Sequence, residues 1–364
     1  EQTAHPLLLA HPSDLVAYDA ALWKAFRRTE IFDRRIPGGY STEELAAFVS
    51  CCADEQGSVL LICNTKAEAL GLYRQLRLQP GTFHLSTAMC MEHRLRTLQA
   101  IHAALHDHER VVCISTQLVE AGVDFSFGCV IRILAGMDNV VQAAGRCNRN
   151  GEHAECGPVY LVNLREERLS RLPEIWQAQK AAESLLADFA ENPAAFEGEL
   201  TSDTAIRAYY RALYAEMDNG GQDYPLPELG TSLLDLLSVN RVFRSRCQTA
   251  GAYILGQAFQ TAGKRFRVFE DNTTDVLVPF GEGAQLIAAL CSDKARWDLV
   301  HRGEQLKKAG RYTVCLYQYQ LDKLRENGGV YSLCDGTILA LQPEFYAEET
   351  GLCLEGENEQ FLEV

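Results

Sequence analysis

No stretch of the 364 residues approaches the roughly 18 apolar positions that a membrane-spanning helix needs, so no membrane partner is expected. Positive charge is scarce. Lys and Arg total 34 against 49 Asp and Glu, a net charge of -15, which excludes a uniformly basic nucleic-acid binder and leaves only a local basic surface. The 13 cysteines include no C-x-x-C, and Cys51 and Cys52 form the one adjacent pair, so neither a zinc ribbon nor a disulfide framework is legible. Reduced thiols in a cytoplasmic protein are expected, most of them inside strands such as those holding Cys63, Cys113 and Cys315. The first residues lack an initiator Met, a basic leading region and a long apolar run, which excludes a signal peptide and suggests a cut within a longer chain.

What is present is ordinary globular composition, 47% hydrophobic and 23% charged, with length for two or three domains. Residues 17–27 and 41–50 read as helices, the second opened by Ser41 with Glu44 three positions on, a capping-box pattern. From residue 58 short apolar runs alternate with single helices. Strands are expected at 58–64, 82–87, 110–116, 129–134 and 158–164, and helices at 66–77, 91–105 and 140–149. This is βαβ patterning, which requires one parallel sheet with helices on both faces, here of five strands. Residues 165–240 read as helical and polar, broken at 218–230 by the Gly and Pro density of a loop, and a small α+β unit is expected over 241–364. Residues 1–57 are assigned to an interdomain linker and leading helices.

In open parallel sheets ligands bind beyond the carboxyl ends of the strands. The residues found there are Asn64 and Thr65, Ser86 and Thr87, Ser115 and Thr116, a rim of hydroxyls and amides suited to phosphates. A sharper pattern is Gln142, Gly145, Arg146 and Arg149 in the decapeptide QAAGRCNRNG. Placed on one helix, the two arginines share a face and offer rigid forks of donors to phosphoryl oxygens, so they are expected to face a cleft. Weaker features compete with blander readings. His102, His106 and His108, with Asp107, have partial zinc-helix spacing but read as surface histidines at a helix end. Cys147 sits between two arginines that would lower its pKa, yet no base accompanies it, and it reads as a packing residue. The stretches RFRVFED and AYYRALYAEM mix basic and aromatic residues as stacking surfaces do, and equally as an amphipathic strand and helix.

Taken together, STQLVEAGVDFSF (115–127), QAAGRCNRNG (142–151) and LLICNTKAEALGLYRQL (60–76) resemble the fifth, sixth and fourth motifs of superfamily 2 helicases. The phrase LSTAMCMEHR (85–94) and the Asn between the last two arginines resemble the CRISPR-associated helicase-nuclease of type I interference systems, and the tail ILALQPEFYAEETGL is similar more loosely to its C-terminal domain. The resemblance implies a RecA-like parallel sheet at 58–164, the second of a motor's two, followed by a helical linker at 165–240 and an accessory domain at 241–364. It implies that Arg146 and Arg149 reach the ATP phosphates, that Gln142 couples nucleotide to the interface, and that Gly122, Asp124 and Gly145 shape the nucleotide site. Asn64, Thr65, Ser86, Arg94 and Thr116 would lie along single-stranded DNA.

Neither a G-x-x-x-x-G-K-[ST] phosphate loop nor a D-E-x-H or D-E-x-D box occurs in the chain. ATP and Mg²⁺ are therefore expected to be completed by a first RecA-like domain, and a divalent transition metal by an N-terminal nuclease domain, both outside this sequence. An RNA-guided surveillance complex is the implied recruiting partner. Two alternatives remain open: another superfamily 2 motor, such as an RNA helicase or restriction-type translocase, and a non-catalytic DNA- or protein-binding module.

Overall fold

Continuous apolar runs become strands buried on both faces. In the computed structural model the described residues are 26–120, 124–167, 169, 172–216, 223–246, 256–267, 273–291, 299–334 and 336–356. The expected strands appear as β2 (Ser58–Ile62), β3 (Thr82–Leu85), β4 (Val111–Ser115), β5 (Cys129–Ile133) and β6 (Gly157–Val162). A sixth, β1 (Thr29–Asp33), comes from the segment assigned to the linker and pairs in parallel with β6, Ile31 opposite Val159. Its sequence TEIFD is half polar because it forms an edge and buries little, so no apolar run marks it. The order is β1-β6-β5-β2-β4-β3 and every pairing is parallel. The helix read over 17–27 falls almost wholly outside the described residues.

Helices α1 (Thr42–Gln56) and α2 (Lys66–Leu76) cover one face, and α3 (Met91–His106) and α4 (Met137–Ala144) the other. The period-2 alternation of β2 sorts its side chains accordingly: Val59 and Leu61 join the first core, Leu60 and Ile62 the second. The Ser41 hydroxyl accepts from the Glu44 amide at 3.1 Å and the Glu44 carboxylate accepts from the Ser41 amide at 2.8 Å, so α1 starts where its capping box indicates.

Downstream, α5 (Pro173–Glu191) and α6 (Asp203–Glu216) pack on Leu134, Met137, Val140 and Leu161. The stretch read as a loop at 218–230 carries, in its described part, a two-residue strand β7 (Pro225–Leu226) paired with β8 (Thr231–Ser232). The accessory unit holds β9 (Thr273–Leu277), α7 (Glu282–Leu290), α8 (Leu299–Ala309), β10 (Thr313–Tyr317), α9 (Gln318–Glu326), β11 (Val330–Leu333) and β12 (Ile338–Leu341). Its four strands run β10-β9-β12-β11 in a mixed sheet, and a hairpin of β13 (Tyr346–Ala347) and β14 (Gly351–Leu352) follows. The strand read near RFRVFE is corrected in its described part, where Arg265 ends a helix, Phe259–Arg265.

This unit docks on the segment between β3 and α3. The Leu352 amide donates to Ala88 O at 2.9 Å, the Cys90 amide donates to Tyr346 Oη at 3.0 Å, and His93 Nδ1 lies 3.0 Å from the same hydroxyl. The His93 ring stacks on Phe280 at 4.2 Å, and Glu92 pairs with Arg311 at 3.0 Å. Among the described residues no helix is long and apolar enough to cross a membrane.

Candidate functional site

Helix α4 is shorter than its sequence suggests, and that changes where the arginines point. It ends at Ala144 with Gly145 as cap; the chain then turns so that Cys147 bridges to Phe127 and Asn148 takes a left-handed φ of 44°. Asn148 holds the turn itself, donating to the carbonyls of His153 and Glu155 and accepting from the His153 amide. Arg146 and Arg149 therefore do not share a helical face. Arg146 is only 7% exposed and its Nη2 donates to Glu120 O at 2.7 Å, contrary to the expectation that both would face a cleft. Burial lowers its pKa, the nearby Arg149 lowers it further, and Asp124 opposes both.

Arg149 remains at the surface. Its Nε lies 2.7 Å from Asp124 Oδ1 and its amide donates to Ser126 Oγ at 3.0 Å. It borders an open cleft of about 590 Å³ shared with Phe26, Arg28, Val141, Gly145 and Asn150. Gln142 is exposed on α4 but is not among the residues lining this cleft, and Gly122 lies outside the described residues. The structure thus brings Arg146, Arg149 and Asp124 together, with the carboxylate standing where an incoming anion would compete. Burial pushes the Cys147 thiol up to about 12, contrary to the depression expected from the flanking arginines, and its Sγ packs on Gly128 O. His102, His106 and His108 are exposed, and no three metal-ligating side chains lie together among the described residues.

The rim at the strand ends is less open than predicted. Ser86 is 1% exposed and its hydroxyl accepts from the Ala88 amide in the docking turn. Arg94 is half-buried at the seam with the accessory unit, where its charge and that of Lys66 act on the Cys315 thiol of β10. Thr65 caps α2, and Glu68 Oε2 accepts from the amides of both Asn64 and Thr65. Thr116 is half-buried, with no capping bond from its side chain. Asn64 faces inward: its Oδ1 accepts from Arg132 at 2.7 Å, and its Nδ2 donates to Leu134 O and to Glu167. The backbone at the exit of α4 lies at the other end of the strands, near the start of β5.

Sequence reasoning missed the centre of this arrangement. Arg132, near the carboxyl end of β5, is fully buried, its Nε 3.1 Å from Glu120 Oε1 and its Nη1 bonded to Asn64 Oδ1. Glu120 Oε2 accepts from Asn139 of α4 at 3.0 Å, and Glu167 accepts from Gln179 of α5 at 2.8 Å. The available signal was a lone Arg inside the apolar run CVIRIL, since a charge in a buried strand demands a partner.

Residues 55–152 match the family described as CRISPR-associated nuclease/helicase Cas3, C-terminal. The chain is 56% identical over 51 residues to the CRISPR-associated nuclease/helicase Cas3 of Haloferax volcanii, covering 14% of this chain and 5% of that protein. It is 27% identical over 97 residues to that of Methanothermobacter thermautotrophicus, covering 27% and 12%. A crystal structure of T. fusca Cas3-ATP superposes with a TM-score of 0.51 at 15% identity, over 85% of this chain and 37% of that one, a likeness of fold. Over part of its length the chain is therefore homologous to the Cas3 family, and it spans well under half the length of these relatives.

Proposed function

We propose that this chain is the C-terminal half of an ATP-driven translocase on single-stranded DNA, coupled in the full-length protein to a metal-dependent nuclease and recruited to an RNA-guided complex. The observation that carries the proposal is the meeting of Arg146, Arg149 and Asp124 beside a parallel sheet, within the segment homologous to Cas3. In this reading 58–164 with β1 and α1 form the second RecA-like domain, 165–240 the helical linker and 241–364 the accessory domain. Gln142, Gly145 and Gly122 would flank the nucleotide, while Thr65, Thr116 and the seam holding Arg94 would track the strand.

Guanidinium forks suit the phosphate oxygens of ATP, and Arg149 can exchange its carboxylate partner for them. In this reading Mg²⁺ would rest on the first RecA-like domain. Charge building on the transferring phosphoryl group is what such arginines stabilise, by on the order of 10³-fold or more. In the full-length protein, Arg149→Ala and Arg146→Ala should abolish DNA-stimulated ATP hydrolysis and leave DNA binding without nucleotide within about threefold. A variant that lost DNA binding but kept its turnover would instead favour a binding module.

A further inference from the structure

Between the sheet and α4, Asn64, Arg132, Glu120 and Arg146 make a line of polar contacts, the last through the Glu120 main-chain carbonyl. Asn64 Oδ1 accepts from Arg132 Nη1 at 2.7 Å; Arg132 Nε lies 3.1 Å from Glu120 Oε1; Glu120 O accepts from Arg146 Nη2 at 2.7 Å. Exposures are 6%, 0%, 7% and 7% in that order. The line connects the exit of β2, beside the nucleic-acid rim, to the guanidinium of the arginine that follows α4.

A buried ion pair is a poor device for stability alone, because apolar residues of similar volume usually serve as well or better. This one is also incompletely satisfied. Arg132 Nη2 has no hydrogen-bond partner among the described residues, and the contact between Arg132 Nε and Glu120 Oε1 lacks hydrogen-bond geometry. Glu120 directly follows a short 3₁₀ turn, Gln117–Val119, that leads out of β4. Arginine suits a linking role because Nε and Nη1 belong to one rigid plane, so motion at Asn64 reorients the donor facing Glu120.

Resting on the motor reading above, we infer that Arg132 and Glu120 are positioning residues that couple DNA at the exit of β2 to the placement of Arg146. A strand seated on the rim at Thr65 shifts the adjoining Asn64, Arg132 follows, and the Glu120 carbonyl carries Arg146 with it. Coupling of this kind is reciprocal: DNA changes nucleotide affinity by the factor by which nucleotide changes DNA affinity.

The test uses the full-length protein, a labelled single strand and a non-hydrolysable ATP analogue. In the native protein the analogue should shift DNA affinity at least tenfold, and DNA should stimulate hydrolysis. The double variant Arg132→Met with Glu120→Leu replaces the pair by apolar residues. It should melt cooperatively and bind DNA without nucleotide within threefold of native, while the coupling factor falls below two and stimulation disappears. Coupling retained in the double variant would overturn the relay and leave the motor reading intact. Should the double variant fail to fold, Arg132→Lys keeps the charge without the fork and should cut coupling at least fivefold; full coupling in it overturns the relay. A native protein with no DNA-stimulated hydrolysis would overturn the motor reading and the relay with it.

Discussion

His93 shows how one side chain ties two units together and makes the tie depend on pH. Buried between Phe280 and Tyr346, it has a pKa lowered from 6.5 to about 4, by burial first and then by Arg96, against a backbone hydrogen bond at Glu348. His84, buried near Tyr73, is likewise lowered to about 4, by burial and then by His93. Both are neutral when folded, while the unfolded chain binds their protons below pH 6.5, so stability is full above that value and is lost as pH falls towards 4. The loss, complete only below pH 4, amounts to about 3 kcal/mol for each. Urea unfolding at pH 7.5 and 5.0 should show this loss, and His93→Gln should remove about half of it; an unchanged pH dependence in the variant would refute the assignment. The same scale explains the error at Arg146. Its charge and spacing were legible, but burial depends on the Glu120 carbonyl, which local sequence cannot place.

At the scale of elements, local signals predicted well where they acted locally. The capping box read at Ser41 starts its helix there, and the helix expected from residue 66 begins there, capped by Thr65. Helix α4 ends early because Asn148 and the Phe127 bridge satisfy the backbone in another way, a contact 20 residues distant in sequence. The hairpin of β13 and β14 docks through Gly351, whose φ is 82° and where an added Cβ would meet Ala88 O at 2.4 Å. A side chain there is both strained and obstructed by backbone. Gly351→Ala should therefore cost about 2–4 kcal/mol and loosen the seam. Limited proteolysis should then cleave between the two units while the parallel-sheet unit stays protected; a native digestion pattern would show that the hairpin does not secure the dock.

For the whole molecule, a net charge of -15 means that affinity for DNA must come from a narrow track. Few phosphates can be neutralised there, so log K against log salt should fall with a slope of only about 1 to 2, at roughly 0.7 per phosphate for single strands. Contacts to the backbone carry no sequence information, so a homopolymer and a mixed strand should bind this chain alone almost equally and weakly. A steep slope or strong sequence preference would reveal a basic surface elsewhere.

The sequence by itself determined the strands β2 to β6, the helices between them and the residue types that gather around Arg149, because hydrophobic period, caps and motif spacing act over a few residues. Tertiary structure alone decided the edge strand β1, which buries too little to leave a pattern. It also decided that Asn64 and Ser86 turn inward and that Arg132 and Glu120 meet beneath α4. Those outcomes depend on which desolvated groups find partners across the fold, and burial of a charge is settled only when its partner, distant in sequence, has been brought beside it.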